Sequence, residues 1–305
     1  MCIRDSSHFS TQAPAHKLRV NEALAPKTGI IHMTDTKYIH TFTKEEQDRL
    51  IGQSELVAPF VHQHIDFSGA SSVLEIGCGV GAQIRIICRK YPNLTVHGVD
   101  ISDKQIVRAE SLLSEEIRAK KVFLETAPAS ELPHEDSSFD AVFICFVLEH
   151  LSDPIQAVME AKRVLKPGGQ LVCTEVFNDA LFVHPNSHAI MQYWRAFNEM
   201  QREIGGDPNI GIRLCNIMIQ SGMEVQHMND ASYMLDQRMT DTAERKKYLD
   251  HWYSNFMSAK EQLIKSGRIN ESVLKEFEVE YSKLRKSEDT VFLYSNRQIS
   301  AIKSA

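Results

Sequence analysis

Short apolar runs alternate with amphipathic stretches over the middle of this chain. Val73 to Ile76, Thr95 to Val99, Val122 to Glu125, Ala141 to Val147 and Leu171 to Phe177 read as buried strands. Ala82 to Lys90, Asp103 to Leu113 and Pro154 to Leu165 carry apolar residues at helical spacing. Such alternation predicts parallel βαβ units under one sheet. A helix is expected ahead of them, with Thr43 as its cap and Glu46 completing a capping box. Leu50, Ile51, Leu56, Val57, Phe60 and Val61 supply its apolar contacts.

Past Phe177 the pattern changes. Asn186 to Ile204 is aromatic and polar and reads as helical. Gly205-Gly206-Asp207-Pro208 breaks it, and Asp207 with Pro208 predicts the cap and first position of a helix reaching about Ser221. Met223 to Met228 is expected as a sixth strand. Thr242 to Lys286 is helical, with one stripe through Tyr248, Trp252, Phe256 and Leu263. After a break at Gly267, Asn270 caps a second helix bearing Val273, Phe277, Tyr281 and Leu284 on one face. A last strand starts at Thr290 and extends toward Ile302.

The densest chemistry lies where the first strand ends, in Val73-Leu74-Glu75-Ile76-Gly77-Cys78-Gly79-Val80-Gly81. Three glycines at alternate positions form a tight turn and let a ligand approach the backbone. The helix that follows opens with N–H groups and a positive dipole end. The next strand ends in Asp100, about 20 residues on, where a nucleotide-binding fold places a carboxylate for ribose hydroxyls. Ser138-Phe139-Asp140-Ala141-Val142 leads a further strand into Phe146, Leu148, Glu149 and His150. Arg163-Val164-Leu165-Lys166-Pro167-Gly168-Gly169 ends a helix and turns the chain into a fifth strand.

Composition narrows the partners. The 305 residues suit one large domain, or one core with an insertion. A net charge of −6 with no Lys/Arg run argues against nucleic acid. No apolar stretch reaches the ~20 residues of a membrane span, and the opening residues lack an apolar signal core. The six cysteines form no Cys-x-x-Cys pair, which fits a reducing, cytoplasmic setting. His62-x-His64 and His184-x-x-x-His188 lack the companions of a tetrahedral set, so no metal is expected.

From Lys37 to Ile302 the chain resembles the class I S-adenosylmethionine-dependent methyltransferases, in the small-molecule branch of methyltransferase type 11/25-like proteins. Glu-Ile-Gly-Cys-Gly, Gly-Val-Asp, Phe-Asp-Ala-Val, Leu-Glu-His and Leu-Lys-Pro-Gly-Gly carry the resemblance. It implies an α/β Rossmann-like fold: a seven-stranded, mostly parallel sheet with helices on both faces. The last strand would run antiparallel between the fifth and sixth, and a helical cap would be inserted over the site. S-adenosyl-L-methionine is the implied cofactor and a small-molecule methyl acceptor the implied partner. Glu75, Gly77, Cys78, Gly79, Gly81, Asp100, Ile101, Ala129 and Phe146 would hold the cofactor. Within that set Glu75 would reach the methionine ammonium, with capping of local backbone as its alternative. Asp100 would take the ribose and Ile101 the adenine. One departure stands out: the family's adenine-binding Asp is replaced here by Pro128.

His150 is the candidate general base, because an imidazole titrates near neutrality; a structural histidine is the alternative. Tyr38, His40, Tyr193, Trp194 and Asn198 are the candidate acceptor contacts. Tyr193 and Trp194 are also suited to cation–π contact with an amine, and packing in an amphipathic helix is the alternative. The implied division is a leader at 1–32, a helical lid at 33–70, the cofactor-binding core at 71–180 and an acceptor-side helix at 181–208. A core continuation at 209–230, a helical cap at 231–287 and a final core strand at 288–305 complete it. Residues 1–32 show no sustained periodicity, and Met1 to Ser6 reads as a translated sequencing adaptor, so Met33 is the expected start. An NAD(P)-dependent oxidoreductase is the rival reading, since Gly77-x-Gly79-x-x-Ala82 fits a loose dinucleotide fingerprint. A non-catalytic binding module and a nucleic-acid methyltransferase fit less well: the glycines and Asp100 are intact, and no Asn/Asp-Pro-Pro-aromatic motif ends the fourth strand.

Overall fold

A computed structural model describes residues 38–304. The leader expected at 1–32 and the start at Met33 lie outside the described residues. The first helix, α1, is Lys44–Val61. Strands β1 (Ser72–Ile76), β2 (Thr95–Asp100), β3 (Val122–Thr126) and β4 (Phe139–Cys145) follow. Helices α2 (Ala82–Lys90), α3 (Asp103–Leu112) and the short α4 (Ser114–Arg118) lie between them in sequence. A single 3-10 turn, Leu148–His150, precedes α5 (Pro154–Val164) and β5 (Leu165–His184). The chain closes with α6 (His188–Glu203), α7 (Ile210–Gln220), β6 (Glu224–Leu235), α8 (Thr242–Met257), α9 (Lys260–Lys265), α10 (Glu271–Lys286) and β7 (Val291–Ile302).

The strands form one sheet in the order β3-β2-β1-β4-β5-β7-β6. The first five pair in parallel, and β7 runs antiparallel between β5 and β6, as the resemblance implies. Strand order reverses between β1 and β4. In open α/β sheets the carboxyl ends at such a switch point open into a crevice. Val73 to Ile76 and Ala141 to Ile144 are wholly buried because helices cover both faces. Each such large side chain contributes on the order of 1.5–3 kcal/mol.

Three local expectations need correction. Thr43 caps α1, its Oγ1 accepting the Glu46 N–H at 3.3 Å. Glu46, however, turns from the capping box to the Arg49 guanidinium, at 2.6 and 2.8 Å. A charged, bidentate partner outcompetes a backbone amide. Helix α7 starts at Ile210, with Asn209 at the N-cap position without a side-chain bond, and Asp207 Oδ1 accepts the Asn209 N–H at 3.0 Å in the turn before it. The Asp207 N–H is tied to the Glu149 carbonyl and the Asn178 N–H to the Pro208 carbonyl, at 2.8 and 2.9 Å. Those ties hold both residues outside the helix. The cap consists of three helices instead of two, although the break at Gly267 and the Asn270 cap stand where expected.

Strands β5, β6 and β7 are also longer than the pattern predicts. They continue past the parallel sheet as an antiparallel ribbon, pairing Leu235 with Phe292 and His184 with Val291. The cap rests on this ribbon: the Trp252 ring lies 4.7 Å from Phe292 and 4.6 Å from Tyr294.

Candidate active site

The ends of β1, β2 and β4 lie level, with Ile76 opposite Val99 on one side and Ile144 on the other. Gly77, Gly79 and Gly81 all take positive φ, at 71°, 50° and 74°, which L side chains adopt only at a cost. They serve different ends. A Cβ on Gly77 would meet Val147 Cγ2 at 2.4 Å, and one on Gly81 would meet Leu113 Cδ1 at 2.5 Å. A Cβ on Gly79 would meet nothing within 4 Å. The first and last glycines let the backbone pack; the middle one faces open space.

The turn is held largely by its own bonds. The Gly77 and Cys78 N–H groups both donate to the Val99 carbonyl, at 2.8 and 2.9 Å. The Gly79 N–H donates to Asp100 Oδ2 at 2.9 Å, and Asp100 Oδ1 accepts the Ser102 N–H at 2.9 Å. Asp100 thereby ties the turn to β2. Ile101 and Ala129 are half-buried just beyond the ends of β2 and β3. The Cys78 side chain joins the core, with its Sγ near Gly98, so only its backbone borders the crevice.

Glu75 is buried and its Oε2 has no partner among the described residues. Burial, reinforced by Asp100, pushes this carboxyl well above the usual range. A buried polar atom without a partner is costly. Its place at the end of β1, just ahead of the glycine turn, makes it a fit for the ammonium of an amino-acid ligand.

Beside the turn lies a cavity of about 90 Å³, several times the space one water needs. Tyr38, His40, Arg49, Phe146, Glu149, His150, Trp194, His251 and Trp252 are among its walls. Phe146, at the end of β4, sits at φ 58°, strain of a kind that collects at functional sites. The His150 ring contacts those of Tyr38 and His40, at 4.8 and 5.9 Å. His40 Nδ1 bonds Ser258 Oγ at 2.6 Å, joining lid to cap. Burial lowers the pKa of His40 and of His150, and it pushes His251 down to about 3; Arg49 adds to each. All three rings are therefore uncharged at neutral pH.

Two candidate acceptor contacts fall elsewhere. Tyr193 does not reach the cavity: it is fully buried against Phe277, and its hydroxyl donates to the Phe256 carbonyl at 2.9 Å. Asn198 lies behind the wall, its Oδ1 accepting from Asn178 Nδ2 at 3.0 Å. One helical face cannot serve both the cap core and the cavity: packing against α10 claims Tyr193, and hydrogen bonds with Asn178 and Asp179 of β5 claim Asn198. Outside the cavity, His62 Nε2 bonds Gln83 Oε1 at 2.6 Å and His184 Nε2 bonds Asp289 Oδ2 at 3.2 Å.

Several site residues escape a reading of the sequence. Glu175 is an acid inside the apolar run Leu171 to Phe177, the same signal that marks Glu75. It is fully buried, and its Oε1 accepts the Val147 and Leu148 N–H groups at 2.9 and 2.7 Å, anchoring the Leu148–His150 turn. Its Oε2 is unpartnered, and burial, then Glu149, raise its pKa well above the usual range. Such a group favours the fold fully below its unfolded pKa, and the benefit is lost as pH rises through the folded value. Glu175→Gln keeps an oxygen for the two amides and removes the titration. Its melting temperature is expected to match wild type near pH 5 and to exceed it increasingly toward pH 8. A constant difference across that range, by calorimetry, would refute this assignment of the charge.

Comparison with known proteins agrees with the fold and the turn. A methyltransferase domain family model matches residues 74–173. Methyltransferase GfsG of Streptomyces halstedii is 32% identical over 129 residues, covering 42% of this chain and 46% of that protein. The 27-O-demethylrifamycin SV methyltransferase of Amycolatopsis mediterranei is 32% identical over 176 residues, covering 57% and 61%. The chain spans about half the length of the first curated relatives it matches. Among solved structures, a geranyl diphosphate C-methyltransferase from Streptomyces coelicolor has the same fold, with a TM-score of 0.50 at 14% identity, covering 86% of this chain and 85% of that one. The chain thus resembles methyltransferases in its central segment, residues 74–173, and in its fold. The oxidoreductase alternative finds no support in these matches.

Proposed function

We propose that this chain moves the methyl group of S-adenosylmethionine to a small molecule held in the aromatic-walled cavity. The observation that carries this reading is the buried, partnerless Glu75 Oε2 at the end of β1, where the chain enters the glycine turn. In this reading Glu75 takes the methionine ammonium, Asp100 takes the ribose hydroxyls and Ile101 packs on the adenine. Gly77, Cys78, Gly79 and Gly81 contribute backbone, and Ala129 and Phe146 border the ligand. When bound, the sulfonium supplies an activated methyl group. The protein has to hold the acceptor in line and keep water out, and such positioning supplies ~7–11 kcal/mol.

Residues 33–70 act as the lid, the segments at 181–208 and 231–287 form the acceptor side, and 71–180, 209–230 and 288–305 make up the core. His150, uncharged and at the cavity wall, is the proton acceptor in this scheme, with Tyr38, His40 and Trp194 around the acceptor. Five free cysteines among the described residues support a reducing, cytoplasmic setting. No described helix is long and apolar enough to cross a membrane. The acidic balance supports a small-molecule partner over nucleic acid.

The test has two parts. Calorimetric titration is expected to show S-adenosylhomocysteine binding at micromolar concentration or below, and NADH not binding. Incubation with methyl-labelled S-adenosylmethionine and a metabolite extract is expected to yield a labelled product by mass spectrometry. Tighter binding of NADH, or no labelled product from any extract, would defeat the reading.

A further inference from the structure

The charges around the cavity do not cancel. Arg49 is neutralised by Glu46 through two hydrogen bonds of 2.6 and 2.8 Å, and its Nη1 also donates to Gln53 and Asn255. His40, His150 and His251 are uncharged at neutral pH. Glu149 is buried at the wall, and its Oε2 accepts from Gln201 Nε2 at 2.8 Å. Its Oε1 takes no hydrogen bond among the described residues; His150 Nε2 stands 3.8 Å away, beyond bonding reach. The wall thus holds a carboxylate with no cation beside it.

The aromatic rings near it have their polar tips occupied. Trp194 Nε1 donates to the Asn178 carbonyl at 2.6 Å, Tyr294 donates to Asn178 Oδ1 at 2.6 Å, and Tyr248 donates to the Tyr233 carbonyl at 3.1 Å. These three side chains therefore bring the cavity apolar ring surface and no free hydrogen-bonding tip. A free carboxylate oxygen beside aromatic rings favours a cation, since both attract positive charge, while the Gln53 and Asn255 amide oxygens on the same wall are taken by Arg49.

We propose that the acceptor is an amine on a small, largely apolar frame, and that Glu149 is its specificity-determining residue. This rests on the methyl-transfer reading above and names the substrate class of the same site. The ammonium docks on Oε1 of Glu149 and gives one proton to the neighbouring His150, whose Nε2 stands 3.8 Å from that oxygen. The freed nitrogen lone pair then forms the new N–C bond with the donor's methyl carbon. The S–C bond breaks and its electron pair stays on sulfur, leaving a neutral thioether and an N-methylammonium product. The proton on His150 passes to solvent when the product leaves.

Both tryptophans of the chain, Trp194 and Trp252, line this cavity, so their emission reports its occupancy directly. The probes are cyclohexylmethylammonium, cyclohexylmethanol and cyclohexanecarboxylate, titrated with S-adenosylhomocysteine present. Wild type is expected to bind the ammonium at least about tenfold more tightly than the alcohol, or about 1.4 kcal/mol, and the carboxylate least. Glu149→Gln retains an oxygen for Gln201 and is expected to reduce that preference to threefold or less. The proposal is overturned if the alcohol or carboxylate matches the ammonium in wild type. It is likewise overturned if the ammonium fails to bind at millimolar concentration, or if a folded Glu149→Gln protein keeps the preference. Should that variant not fold, the wild-type ranking alone decides. Binding of S-adenosylhomocysteine, measured separately, shows whether any failure lies with the donor site instead.

Discussion

Asp100→Ala is expected to weaken S-adenosylhomocysteine binding about 100-fold. Hydrogen bonds to a charged group contribute about 1.5–3 kcal/mol each, and two ribose hydroxyls are assigned to this carboxylate. Losing them costs about 3 kcal/mol, and each 1.4 kcal/mol is tenfold in affinity. The same substitution releases the Gly79 N–H, which Asp100 Oδ2 holds at 2.9 Å, so the turn loses its tether to β2 as well. Asp100→Asn retains one acceptor oxygen and is expected to lie between Ala and wild type. Isothermal calorimetry checks the series, and an Ala variant within threefold of wild type would remove Asp100 from the donor site.

The three glycines should separate stability from binding. Gly81→Ala places a methyl 2.5 Å from Leu113 Cδ1 and 3.1 Å from Ala109 Cβ, at φ 74°. The left-handed conformation costs about 1–2 kcal/mol and overpacking about 1–3 kcal/mol. A loss of about 3 kcal/mol is therefore expected, read as a lower denaturation midpoint. Gly79→Ala meets no neighbour and pays only the conformational cost. Its methyl points into the space assigned to the donor, so it is expected to lose at least tenfold in S-adenosylhomocysteine affinity while keeping most of its stability. Equal stability losses in both variants, with donor affinity intact in Gly79→Ala, would mean that the middle glycine serves the backbone alone.

Much of the core could be read from local pattern. Helix α2 begins and ends where its apolar spacing predicts, and β1, β2 and β3 lie within one residue of their expected bounds. A strand buried on both faces must be a continuous apolar run, which makes its position and its odd acid conspicuous. Glu75 stood out for that reason. Glu175 carries the same mark within Leu171 to Phe177, and the same rule applied there would have found it. The acceptor side was harder to read. Tyr193 and Trp194 are neighbours on one helix, yet Trp194 lines the cavity while Tyr193 is buried against Phe277. Trp252 and Tyr248 fall in a stripe that spacing alone marks as core, and they both pack and line the cavity.

The order of strands and helices, the glycine turn and the acid that ends β2 were all legible along the chain. These follow from interactions between residues close along the chain: backbone conformation, side-chain period and the demand that apolar runs be buried. Which polar groups are left without partners emerged from the folded packing alone. The unpaired oxygens of Glu75 and Glu149 depend on segments far apart in sequence. Whether a buried charge is compensated is set by everything packed around it, and the chain states that only once it is folded.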